Sequence, residues 1–203
     1  MDSAALITSF VTLFVIIDPI GLAPLFVAMT HDMDRPQMRS IAFRACAIAF
    51  GILALFAFFG EAVLGFVGIS MPAFRIAGGI LLFLTALDML FERRTKRRED
   101  QADERPDPSV FPLAIPLIAG PGSIATVILL AGQHPGVDAT FLVLGVALAV
   151  LFVVLGLFLT SGLLAKALGK TGVTVATRLL GMLLAALAVQ FVLEGLRDFG
   201  FVA

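Results

Sequence analysis

Apolar residues fall into six long runs, at about 4–29, 40–60, 72–91, 110–132, 139–161 and 173–196, and most of the charged residues lie between them. Each run is close to the ~20 residues that an α-helix needs to cross a hydrocarbon layer. The pattern predicts an all-α membrane protein with six transmembrane helices and little chain left over for a soluble domain. Two runs are interrupted near their centres. The first contains Asp18-Pro19-Ile20-Gly21, the fourth Ala119-Gly120-Pro121-Gly122-Ser123. Proline lacks an amide donor and clashes with the preceding turn, so both helices are expected to break there, near the bilayer midplane.

The two interrupted runs are related. Asp18-Pro19-Ile20-Gly21-Leu22-Ala23 aligns with Gly120-Pro121-Gly122-Ser123-Ile124-Ala125. At nearly the same spacing Leu64-Gly65 aligns with Leu168-Gly169, and Arg75-Ile76-Ala77-Gly78 with Arg178-Leu179-Leu180-Gly181. Three helices per repeat is an odd number, so the halves must enter the membrane from opposite sides. This predicts two inverted three-helix repeats, 1–91 and 110–203, an architecture found in transporters.

Between the repeats, residues 92–109 are mixed in charge and contain Pro106 and Pro108, which reads as a solvated loop. Lysine and arginine concentrate after the first, third and fifth helices, at Arg35, Arg39, Arg93, Arg94, Lys96, Arg97, Arg98, Arg105, Lys166 and Lys170. The positive-inside bias places that side, with the 92–109 loop, in the cytoplasm and both termini outside. The N-terminal MDSAAL has no positive segment, so the first run is expected to be a retained helix rather than a cleaved signal.

Composition narrows the function. Hydrophobic residues make up 60% of the 203 and charged residues 14%, against ~25% charged in soluble domains, which excludes most soluble enzyme folds. A net charge of -1 gives no basic face for nucleic acid. The single cysteine, Cys46, has no internal partner, and no Cys/His cluster suggests a metal or redox cofactor. His31 and His134 lie in loops, and the Gly120–Gly122 segment lacks the lysine of a phosphate loop, so no enzyme constellation is expected.

The candidate chemistry lies at the two breaks. Asp18 is placed as the cap and Pro19 as the first residue of a second half-helix, and an ionisable group at that depth is costly enough to suggest function. In the fourth helix Gly120 has no capping side chain, so the amides of Gly122, Ser123 and Ile124 are expected to stand free at a positive helix end, where anions bind. Asp18, Pro19, Ile20, Gly21, Ala119, Gly120, Pro121, Gly122 and Ser123 are therefore the candidate substrate-binding residues. Arg75 and Arg178 open the third and sixth helices and are gating candidates, with Asp88 or Asp18 as carboxylate partners. Gln190 is expected to bond a neighbouring helix.

FVTLFVIIDPIGLAPLF, FRIAGGILLFLTALDML and FPLAIPLIAGPGSIATVILLAG resemble the MarC family of six-helix inner-membrane proteins, over essentially the whole chain. Some members carry asparagine at the position of Asp18. The resemblance implies membership of a transporter superfamily that includes amino-acid exporters, and carriage of a small neutral amino acid such as glycine or alanine; the small residues at the breaks extend this to serine, and the sequence leaves Na⁺ or H⁺ coupling open. The other classes are a non-transporting scaffold or stress-response protein, a channel, and an exporter of another small solute. The partners expected are the lipid bilayer and a small-molecule amino acid, with the oligomeric state open.

Overall fold

The computed structural model describes residues 3–91, 107–133 and 136–201, with the side chains of 162–168 and 170 outside the description. Among the described residues all regular structure is helical. α1 (Ser3–Ile17) and α2 (Pro19–Met29) form the first span, α3 (Arg35–Val67) the second and α4 (Met71–Leu90) the third. α5 (Ser109–Ile118) and α6 (Pro121–Gly132) form a bent pair, followed by α7 (Val137–Leu159) and α8 (Ser161–Phe199). Among the described residues five helical segments are long and apolar enough to cross a membrane, and the pair α5–α6, bent by 55°, makes six if it counts as one span. Most of the 92–109 loop, residues 92–106, and His134 lie outside the described residues.

Local chemistry sets the ends. Asp34 accepts the Gln37 amide at 2.8 Å while the Gln37 side chain accepts the Asp34 amide at 3.2 Å. This reciprocal cap starts α3 earlier than the apolar run at 40–60, and Gly68 ends it in the left-handed conformation with φ 81°. At ~1.5 Å per residue the 33-residue helix is about 50 Å long, well beyond a ~30 Å hydrocarbon layer. Ser70 caps α4, accepting the Ala73 amide at 3.4 Å.

Two helices differ from the expected pattern. α5 is not a regular α-helix: Phe111 and Ile115 are extended, at φ -129° and -126°, because each precedes a proline, which disfavours the helical region. Its turns are wide, with Leu113 N–H donating to Pro108 C=O at 3.2 Å and Ala119 N–H to Ala114 C=O at 2.8 Å, five residues apart in each case. α8 begins at Ser161, ahead of the expected 173, and is interrupted where Gly169 turns to φ 60°. The membrane-length piece is Thr171–Phe199.

The described residues pack into two apolar cores. The first joins α2, α3, α5 and α7 to one side of α1 and α6, through residues such as Leu13, Ile17, Phe26, Leu53, Ile118, Val127 and Val150. Phe26 and Phe158 stack in it with centroids 4.4 Å apart. The second joins α4 and α8 to the other side of α1 and α6, through Val15, Ile16, Leu82, Ala86, Leu129, Leu184 and Ala188. α4 and α8 lie antiparallel on glycines. A β-carbon at Gly79 would stand 2.8 Å from the Ala188 carbonyl oxygen, and one at Gly195 3.0 Å from that of Pro72. At the other end one at Gly181 would stand 3.0 Å from Met89 Cβ. Small residues let the two backbones approach closely, the basis of helix association in lipid.

Candidate functional site

Asp18 is fully buried and is the only non-glycine residue among those described with a positive φ, at φ 58° and ψ 62°. Aspartate and asparagine tolerate this conformation better than other residues because a short polar side chain can bond locally. Here the carboxylate accepts the Gly21 amide at 3.0 Å. Pro19 occupies the first turn of α2, where its missing donor costs nothing. A β-carbon on Gly21 would collide with the Asp18 carboxylate, which explains the glycine at that position. The backbone bonds continue across the interruption, Asp18 N–H to Phe14 C=O at 2.9 Å and Leu22 N–H to Asp18 C=O at 3.0 Å. α1 and α2 therefore follow one path with a single left-handed residue between them.

At the second interruption Gly120 has φ -85° and ψ 171° and offers α6 no side-chain cap. A β-carbon there would run into the Pro116 carbonyl oxygen. The expectation of three free amides is corrected to two. Ile124 N–H already donates to Gly120 C=O at 2.9 Å, leaving Gly122 and Ser123 as first-turn donors at the positive end of α6. The Ser123 hydroxyl turns back to donate to the Ile118 carbonyl at 2.7 Å, tying α6 to the end of α5. Ala119 is buried, Pro121 is exposed, and Ile20, Gly21 and Gly122 are half-buried.

The interruptions come together. A β-carbon at Gly122 would lie 3.3 Å from Ile16 Cγ2 and 3.3 Å from Leu82 Cδ2, so the residue two after Gly120 meets the residue two before Asp18, against the middle of α4. Neither Ile16 nor Leu82 stands out in the sequence, because their place depends on how three helices pack. Ala125 faces Gly78 of α4, 3.8 Å from where its β-carbon would stand.

The gating candidates lie elsewhere. Arg75, near the start of α4, is buried and pairs with Asp198 in the last turn of α8, not with Asp88 or Asp18 as expected. That pairing follows from the antiparallel register of α4 and α8. Asp88 is half-buried and Arg178 exposed, at the other end of the α4–α8 pair. Along α4, Arg75 and Asp88 stand about 10 Å to either side of Leu82. Gln190 bonds Glu194 of its own helix at 2.9 Å rather than a neighbour.

At the start of α5, Asp107 accepts from the Ser109 hydroxyl at 2.6 Å and amide at 3.0 Å, and pairs with Arg44 of α3 at 2.9 Å. These contacts, the Ser109 hydroxyl bond foremost, hold its carboxyl below the usual carboxylate range. A carboxyl depressed on folding contributes stability above its unfolded pKa of about 3.9 and loses it as pH falls through the lower folded value. The expected difference in thermal stability between the wild type and Asp107→Asn is small, about 1 kcal/mol or less for so exposed a pair. It should be present at pH 7 and vanish as pH is lowered below 4 in detergent unfolding series. A difference that persists unchanged at low pH would assign the effect to packing.

Long apolar helices, a broken span and glycine-mediated helix contacts define an integral, multi-pass membrane protein. The chain belongs to the MarC family of integral membrane proteins, whose family model matches residues 3–199. It is 40% identical over 194 residues to a UPF0056 membrane protein of Archaeoglobus fulgidus, covering 94% of this chain and 91% of that one. A UPF0056 membrane protein of Aquifex aeolicus is 36% identical over 200 residues, 95% of this chain and 92% of its own. YvbG of Bacillus subtilis, also described as a UPF0056 membrane protein, is 36% identical over 195 residues, 93% and 92% of the two chains. No solved structure matches the chain.

Proposed function

We propose that the protein is a secondary transporter of small neutral amino acids, glycine, alanine and serine, working by alternating access in the inner membrane. The observation that carries this reading is the meeting of the Asp18 and Gly120 interruptions against Leu82. Non-helical backbone at membrane depth is tolerated where it is buried in protein or lines a cavity, and facing half-helix ends are how transporters hold charged solute groups. The substrate carboxylate is assigned to the Gly122 and Ser123 amides, and its ammonium to Asp18 and the carbonyls just before it. The close approach of Ile16 and Leu82 to Gly122 favours small side chains.

Inverted repeats, 1–91 and 110–203, belong to the same proposal. Three pairs of equivalent helices support it. Cys46 of α3 lies 3.9 Å from the Leu151 carbonyl of α7, and Phe58 of α3 5.6 Å from Phe141, so α3 and α7 pack antiparallel. α4 and α8 do the same. Between the first and fourth spans, the Ile16–Gly122 contact is symmetric about the two interruptions. A pseudo-two-fold axis in the membrane plane accounts for all three. The cytoplasmic 92–109 connection and external termini follow from the lysine and arginine distribution.

Purified protein in liposomes tests the reading against a panel of radiolabelled amino acids, with and without Na⁺ and pH gradients. Saturable uptake is expected, with glycine, alanine and serine at least tenfold better competitors than leucine or phenylalanine. The dependence on each gradient identifies the coupling ion. Non-saturating flux would make the protein a channel, and no flux of any solute would favour the scaffold. Equal competition by bulky side chains would move the site away from Gly122.

A further inference from the structure

The repeat suggests one set of moving parts and the packing suggests another. α4 belongs to the first repeat and α8 to the second, yet glycines at 79, 181 and 195 press them together and Arg75–Asp198 joins their ends. A repeat-against-repeat motion would have to open these close contacts between α4 and α8. The two apolar cores have a different boundary: α4 and α8 on one side, α2, α3, α5 and α7 on the other, with α1 and α6 between.

The boundary also differs in chemistry from either core. On α1, Ser9 lies between Ile16 of the second core and Leu13 of the first, and Thr12 lies beside Ile16 on the second-core side, towards Val15. On α6, Thr126 lies one turn beyond Gly122, between Leu129 of the second core and Leu130 of the first. All three hydroxyl residues are at most 2% exposed. Ser9 bonds the Ala5 carbonyl of its own helix at 2.8 Å, whereas the Thr126 hydroxyl has no hydrogen-bond partner among the described residues. A permanently dry seam would be better served by valine, because a buried hydroxyl without a partner carries its full desolvation cost. Water or a polar solute in the seam would satisfy it.

Resting on the transport reading, we infer that the moving bodies are the α4–α8 pair and the α2–α3–α5–α7 core. The hydroxyl-lined seam on α1 and α6, closed in this conformation, is then the path by which water and a small zwitterionic solute reach the two interruptions from the membrane face where α1 begins. Opening the seam leaves the α4–α8 contacts intact, parts α8 from α2 where those two helices also touch, and carries α4 away from α3, its partner in the same repeat.

Two measurements in a Cys46→Ser background test this. Thr126→Cys in liposomes should react with a membrane-impermeant thiol reagent at least tenfold faster than Leu184→Cys, which lies inside the α4–α8 core, and that rate requires no added solute. Nitroxide pairs are then placed at the outward-facing positions Leu84 and Val189 for α4–α8, and Leu84 and Leu55 for α4–α3, with and without saturating glycine. The α4–α8 distance should stay fixed while the α4–α3 distance changes. Protection of Thr126→Cys equal to that of Leu184→Cys would overturn the inference. So would a change confined to α4–α8, which is the signature of one repeat moving against the other. Fast labelling of Thr126→Cys in a protein that takes up no amino acid would support the seam and count against the amino-acid reading alone.

Discussion

Replacing Gly122 with leucine is expected to abolish binding of glycine and alanine while leaving a folded protein that extracts normally in detergent. Even a single β-carbon at this position would stand 3.3 Å from methyl groups of both Ile16 and Leu82. A leucine adds three more carbons, which must push α6 away from α1 and α4 or fill the space between the interruptions. Overpacking of this kind costs about 1–3 kcal/mol in a well-packed site, small enough for a multi-span protein to survive. The effect on binding should be larger, because close approach to the Gly122 and Ser123 amides is what the site offers an anion. Gly122→Ala provides the graded case. Its methyl needs only a few tenths of an ångström of movement, so binding should fall by roughly tenfold, about 1.4 kcal/mol, rather than vanish. Isothermal titration with glycine, alongside thermal unfolding of both variants, separates the two effects. A Gly122→Leu protein that binds glycine normally would remove this interruption from the site.

Gly120 and its neighbours are legible in the sequence because capping is local chemistry within four residues, and the same holds for Asp18-Pro19. The six apolar runs are legible because a membrane span is a contiguous stretch. The form of α5 is local as well: Pro112 and Pro116, four apart, each force the residue before them out of the helical region. Other features depend on register between distant helices. Arg75 meets Asp198 rather than Asp88 because α4 and α8 run antiparallel, and an arginine at a helix start has no preferred partner in sequence alone. The glycines follow the same rule. Gly79 and Gly195 press against backbone of the facing helix, whereas Gly51, Gly145 and Gly156 have nothing among the described residues within 4 Å of a β-carbon. Nothing in their local sequence separates the two groups. The division into two cores, which cuts across the repeat, arises at this same level.

Substitutions at Asp18 separate charge from geometry more sharply in the structure than in the sequence. The residue caps α2 through the Gly21 amide and also holds the left-handed conformation at φ 58°. Asparagine can do both, so Asp18→Asn should retain the fold and lose only the negative charge. Alanine can do neither. Asp18→Ala should lose ~1 kcal/mol from the missing cap and leave the left-handed backbone without the local side-chain bond that offsets its cost. Gly21→Ala approaches the same interaction from the other side, since its methyl would displace the carboxylate. It should resemble Asp18→Ala in stability while keeping the charge. If the substrate ammonium is held by Asp18, Asp18→Asn weakens glycine binding by at least tenfold with an unchanged unfolding temperature. Gly21→Ala, with the carboxylate present but displaced, then loses both stability and binding. Binding by Asp18→Asn equal to the wild type, with Asp18→Ala and Gly21→Ala both unstable, would make Asp18 a structural cap and leave the ammonium to the carbonyls at the end of α1.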